Sequence, residues 1–159
     1  MMSGSDNMAL VQRLFEEVWN RGNEDVLDEV LIASSHEPSG PQIFPDTTQL
    51  RITMRMLRAA VPDWQVTIEE IIGLPDRVFV RWHAAGTHGG PFMSLAPTGR
   101  RVTASGVSMF HMAHGRIQDA RVIRDSVSMF RQVCTALTSE SAAQAPAGGR
   151  TKRPGAGAA

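Results

Sequence analysis

The chain has one cysteine, Cys134, in 159 residues. It has no partner within the chain, so no intramolecular disulfide can form, and a lone thiol is in keeping with a reducing cytoplasm. A surplus of charge is also missing. Sixteen basic residues face sixteen acidic ones, for a formal net charge of zero. That argues against nucleic acid or an anionic membrane as a partner, and it leaves little repulsion between copies. No apolar run approaches the ~20 residues needed to span a bilayer. The opening MMSGSDNMALVQ lacks the basic start and apolar core of a secretory leader. A cytoplasmic protein is expected. There is no GxGxxG, no phosphate-binding Gly-Lys-Ser/Thr loop and no GxSxG elbow, so neither a nucleotide cofactor nor a serine hydrolase is indicated. The five histidines, His36, His83, His88, His111 and His114, contain no helical i, i+4 pair, and no metal is expected.

The length favours one domain, and 42% apolar residues are enough for a core. Residues 138–159 are rich in Ala, Gly and Pro and hold no apolar side chain larger than Ala. Such a tail cannot bury enough surface to offset its ordering entropy, and it reads as disordered, as do residues 1–5. The domain proper spans residues 6–137. Leu10, Val11, Leu14, Phe15, Val18 and Trp19 recur at helical spacing, with Asp6 placed to cap them and Gly22-Asn23 to close them. A short helix follows over Glu24 to Leu31. Ser34 to Pro45 carries three prolines and a glycine and reads as a loop. Asp46 and Gln49 resemble a capping box ahead of the stripe Leu50, Met54, Leu57, Val61, which Pro62 stops.

Beyond Pro62 the period changes to two. Trp64, Val66 and Ile68 alternate with polar residues, as do Val78, Val80 and Trp82. Val102 to Met112 and Arg116 to Ile123 behave alike, and Pro75-Asp76 and His114-Gly115 mark turns between strands. Asp125 to Val133 suggests a short closing helix. Helices followed by a four-stranded antiparallel meander make an α+β pattern.

The stretches VWNRGNEDVLDEV (Val18 to Val30), VPDWQVTIEEIIGLPDRVFVRWHAAGTHGGPFMSLAPTGRRV (Val61 to Val102) and HGRI (His114 to Ile117), with a closing RQV, resemble the SnoaL-like polyketide cyclases. These belong to the cone-shaped α+β superfamily of nuclear transport factor two and ketosteroid isomerase. The resemblance implies a curved sheet with N-terminal helices around an apolar pocket, a cofactor-free enzyme, a polyketide-like small-molecule ligand and a homodimer. Its best-known members close a ring by intramolecular aldol condensation. That chemistry needs a base beside a carbonyl and donors for the enolate.

Three positions depart from the pattern of the ring-closing members. Counted from Gly115, the acid/base Asp falls on Val122 and a His two residues earlier on Ala120. A further functional His of the preceding strand falls on Ser108. Arg121 matches an arginine of some cyclases, and Asp125 a second acidic position. Asp-Ser-Val-Ser is also a helix start, which offers Asp125 a capping role, and the odd spacing from Val122 opposes a catalytic one. His88, among glycines beside the pocket motif, has a pKa range suited to proton transfer near neutral pH. It can equally hold its own turn. His36 lies in the loop that could reach over the pocket mouth. His111 is out of phase with Ser108. Trp19, Trp82, Phe92, Met93, Phe110 and Met112 line either core or pocket, and Val122 faces the presumed ligand.

The candidate catalytic set is therefore His88, Arg121, Asp125 and Ser108, in a cofactor-free cyclase or isomerase acting on a polyketide-like intermediate in natural-product biosynthesis. A relative that lacks the acidic position and still closes a carbocycle fits this expectation, and an oxygenating, cofactor-free relative gives a hydroxylase variant. The alternative is a non-catalytic protein binding a hydrophobic ligand on the same fold.

Overall fold

The structure, a computed structural model, describes residues 3–32, 47–92, 94–125, 128 and 131–133. His36, Met93, Asp46, Cys134, the 138–159 tail and much of the closing helix lie outside the described residues.

The first helix, α1 (Gly4–Arg13), starts from a reciprocal cap. The Ser3 hydroxyl accepts from the Asp6 amide at 3.2 Å, and the Asp6 carboxylate accepts from the Ser3 amide at 3.0 Å. The cap therefore falls on Ser3, three residues ahead of the expected Asp6, which takes the N3 role. The helix continues as a π-helical segment over Leu14–Asn20, where the Arg21 amide reaches back to the Glu16 carbonyl. Arg58, from the third helix, donates to the carbonyls of Trp19 (3.1 Å) and Asn20 (2.6 Å) and satisfies that end. The Asn20 amide bonds both backbone groups of Val66, at 2.7 and 2.9 Å, and so occupies part of an exposed strand edge. A short α2 (Val26–Val30) and a longer α3 (Thr47–Ala60) complete the helical layer.

Four strands follow: β1 (Gln65–Gly73), β2 (Arg77–Thr87), β3 (Arg101–Ala113) and β4 (Arg116–Arg124). They pair in sequence order as an antiparallel meander. Register shifts between Ile68 and Glu70 and between His111 and Met112 bend it into a curved, unclosed sheet. Strand alternation puts Val78, Val80, Trp82 and Ala84 on the buried side of β2, with Arg81 and His83 outward. Val11, Leu14 and Val18 of the first helix, Leu27 and Val30 of α2, and Leu50 and Met54 of α3 pack in the same core as Val78, Phe110 and Ile117. Each such buried side chain contributes about 1.5–3 kcal/mol. The Phe15 and Phe110 rings meet edge to face at 6.1 Å and tie the π-helical segment to β3. Among the described residues no helix is long and apolar enough to cross a membrane.

Candidate active site on the concave face

The register assembles the candidate site. On the buried side of the sheet, Ile71, Val80, Ser108 and Val122 form one row across all four strands. The adjoining row is Ile68, Trp82, Gly106 and Arg124, and on the other side stand Val78, Phe110 and Ala120. Ser108 is thus a single hydroxyl in an apolar neighbourhood, and it is only 2% exposed. Trp82 Nε1 donates to its Oγ at 2.9 Å. The Trp82 ring comes this close because residue 106 is glycine: a Cβ there would stand 2.7 Å from Trp82 Cζ2 and 2.6 Å from the Ile123 carbonyl oxygen.

Val122, where the resemblance leads to an expected aspartate, is the cross-strand partner of Ser108, and Ala120, where it leads to an expected histidine, pairs with Phe110. Neither can move a proton. The three departures in the sequence therefore meet at one spot.

His88 lies elsewhere on the same side of β2. It is eight residues beyond Val80, or about 26 Å along an extended strand. It is 1% exposed, and its backbone continues the β2–β3 ladder through bonds to Arg100 and Gly99. The Thr98 amide donates to His88 Nδ1 at 3.3 Å, and Thr98 Oγ1 lies 3.0 Å from the same atom. A ring nitrogen that accepts from an amide carries no proton, which makes Nδ1 the acceptor in this contact. His88 Nδ1 thereby ties the two arms of the 88–100 loop together as an acceptor, with its lone pair engaged there, while the buried Nε2 has no hydrogen-bond partner among the described residues. Gly90 closes this corner against α3: its amide and that of Gly89 donate to the Ala60 carbonyl, and a Cβ on Gly90 would stand 1.8 Å from the Ala59 oxygen. Asp63 accepts from the Thr87 amide at 2.6 Å and hydroxyl at 2.9 Å, which hold its carboxyl below the usual range.

The structure does not bring the other candidates to Ser108. Arg121 is exposed and pairs with Met109 on the convex face. Asp125 is exposed, and its Oδ1 accepts from the Ser128 amide at 2.9 Å, the capping bond of a helix start. His111 Nδ1 lies 2.7 Å from Asp119 Oδ1 on that convex face. Trp19 and Phe92 are half-buried against the core, and the Phe92 and Leu95 backbones close a tight turn on each other. A surface depression between Asn7, Asp76, Met112 and His114 sits at the strand turns and includes neither Ser108 nor Trp82. Among the described residues, no group of three or more His, Cys, Asp or Glu could hold a metal.

The sequence matches the profile of the SnoaL-like polyketide cyclases over residues 9–133. The chain belongs to that family. The search of curated proteins gives no match. Among solved structures the chain is similar to TsrD from Streptomyces laurentii at 19% identity, with 84% of this chain and 98% of that one covered and a TM-score of 0.72. It is similar to IdmH from Streptomyces antibioticus, described as a candidate polyketide cyclase, at 27% identity, 79% and 96% coverage and a TM-score of 0.64. AclR from Streptomyces galilaeus, described as a candidate hydroxylase, aligns at 22% identity, 84% and 98% coverage and a TM-score of 0.68. The likeness to TsrD and AclR is one of fold. Within this SnoaL-like family fold, the chain places one buried hydroxyl, hydrogen-bonded to Trp82, in the row of Val80 and Val122. That arrangement can donate a hydrogen bond to a ligand oxygen. It cannot remove a proton from carbon.

Proposed function

We propose that the chain closes a ring in a polyketide-like intermediate held against the concave face, without a protein base. The observation that carries this reading is Ser108: a buried hydroxyl, hydrogen-bonded to Trp82 and paired with Val122 in an otherwise apolar row. A 1,3-dicarbonyl unit of such a substrate already exists in part as its enol. The enol carbon attacks a second carbonyl, whose oxygen accepts from Ser108. A carbon–carbon bond forms, the enol O–H becomes a ketone as its proton leaves, and the new alkoxide takes up one proton. No C–H bond has to be broken by a side chain. Holding the two carbons in contact can supply ~7–11 kcal/mol of the barrier, and the apolar row keeps water from the reacting carbonyl.

The reading keeps the expectation of cofactor-free chemistry in the cytoplasm, and extends to a homodimer. On the convex face Val107 and Ile123 are cross-strand partners, Ile123 is 80% exposed, and Ile72 is exposed beside Phe79. These suit a second copy of the chain.

A thioester carrying several 1,3-dicarbonyl units tests the activity by mass spectrometry of the cyclised product. Ser108→Ala should slow closure by about a hundredfold, the scale of losing one donor to a developing oxyanion. An unchanged rate would refute the role of Ser108. The apolar Ala120 and Val122 favour a second reading, a non-catalytic binder of hydrophobic ligands. Saturable binding of such a thioester without any product would establish it.

A further inference from the structure

Resting on that reading of Ser108, we propose that Trp82 is a positioning residue that turns the Ser108 hydroxyl towards donating, so that the site favours an oxygen acceptor, a carbonyl or an enolate. An indole N–H is a donor and never an acceptor, so the 2.9 Å contact has one direction. Trp82 Nε1 gives its hydrogen and Ser108 Oγ receives it. Two consequences follow at the serine. One of its lone pairs is spent, which makes the oxygen a poorer base. Its own O–H bond is polarised by the bond it accepts and becomes a better donor.

The surroundings leave that proton to a ligand. The side chains beside Ser108 on the sheet are Val80, Val122, Phe110, Ala120 and Gly106, and none carries an acceptor. The neighbouring strand carbonyls are engaged in the antiparallel ladders on both sides. Burial keeps bulk water away. The indole, in turn, is set by Gly106. It lies against the bare backbone of β3, where a Cβ would meet two of its ring carbons at 2.7 and 3.1 Å. Gly106, Trp82 and Ser108 thus form a chain of placement in which backbone fixes ring, ring fixes hydroxyl, and hydroxyl selects the ligand atom.

The experiment uses the full chain and 2-naphthol, an aryl alcohol whose neutral and anionic forms absorb differently. Spectroscopic titration gives the affinity for each form in wild type, Ser108→Ala, Trp82→Phe and the double variant. Wild type should prefer the anion, and Ser108→Ala should lose about tenfold or more of that preference, as a hydrogen bond to a charged oxygen disappears. Trp82→Phe keeps a ring of similar shape without the N–H and should lose about two- to threefold. In the Ser108→Ala background the Trp82 change should cost nothing further, because the indole acts only through the hydroxyl. Equal losses in both backgrounds would overturn the proposal and leave the role of Ser108 standing. A wild type that binds neither form, or both alike, would overturn the role of Ser108 itself. Heteronuclear spectra check the folded state independently: the Trp82 indole resonance, identified by its loss in Trp82→Phe, must move in Ser108→Ala. An unmoved resonance also overturns the proposal.

Discussion

Replacing Gly106 by alanine should unseat Trp82 with the smallest possible change. The added Cβ would lie 2.6 Å from the Ile123 carbonyl oxygen, 2.7 Å from Trp82 Cζ2 and 3.1 Å from Cε2. Carbon atoms rest at ~3.5–4.0 Å, so the ring has to retreat by roughly 1 Å. The carbonyl belongs to β4 backbone and cannot swing aside as a flexible side chain would. The indole is a rigid bicycle, so a retreat of its six-membered ring carries Nε1 away from Ser108 and breaks the 2.9 Å bond. Overpacking of this kind costs about 1–3 kcal/mol. Alanine recovers ~0.5–1 kcal/mol of backbone entropy relative to glycine, which leaves a net loss of up to about 2.5 kcal/mol. For a domain of this size that lowers the melting temperature by up to roughly 10 °C. Circular dichroism melts read the stability, and the Trp82 indole resonance reads the bond. An unchanged melting temperature with an unmoved resonance would show that the Trp82–Gly106 contact does not set the geometry of the site.

Other variants extend the same reasoning. Val122→Asp puts a carboxyl beside Ser108 in the apolar row, where burial should raise its pKa. A raised folded pKa means that the variant is most stable in acid and loses stability as pH climbs above the unfolded value of ~3.9, and melts across that range check it. Ring closure should fall in this variant, and a gain would instead mark the chain as a weakened aldol enzyme. Asp63 has the opposite sign. Its depressed pKa contributes stability above ~3.9 that disappears as pH falls through the folded value, so Asp63→Asn should flatten the acid limb of the stability curve. Thr98→Val removes the hydroxyl facing His88 Nδ1 and should cost about 0.5–1.5 kcal/mol in urea unfolding, with ring closure retained if His88 serves the loop. The pair Val107→Glu and Ile123→Glu should yield a monomer by sedimentation if the convex face joins two copies. A wild type that already sediments as a monomer would end that idea.

Much of this architecture was legible in the alternation of residues. The even positions Val78, Val80 and Trp82 and the phase of Ser108 indicated which side chains share the buried side, and the same phase turned His111 outward, where it meets Asp119. The meander and its turns followed from Pro75-Asp76 and His114-Gly115, the latter adopting the left-handed turn with φ of 50° and 73°. The π-helical segment was not legible, because Leu14, Phe15, Val18 and Trp19 have the same spacing in either kind of helix. What marks the segment is the bond from the Arg21 amide to the Glu16 carbonyl five residues back, and Arg58 reaches the last carbonyls from another helix. The Trp82–Ser108 bond was equally hidden. The two residues stand 26 positions apart, and their register depends on the loop between β2 and β3, whose closure rests on His88 and Thr98. The role of Gly106 could be seen only once the indole was placed. The resemblance led to the expectation of acid/base groups at positions 122 and 120, which hold valine and alanine, and the register places both beside one buried hydroxyl.

The central claim is that ring closure proceeds beside a hydrogen-bond donor with no side chain moving a proton from carbon. The direct measurement is the pH dependence of the single-turnover rate with a 1,3-dicarbonyl thioester, divided by the rate of the uncatalysed reaction at each pH. The expected profile is flat from about pH 5 to 8, since no carboxylate or imidazole titrates in the reacting step. A sigmoid or bell-shaped profile whose inflection disappears in His88→Gln or Asp125→Asn would contradict it.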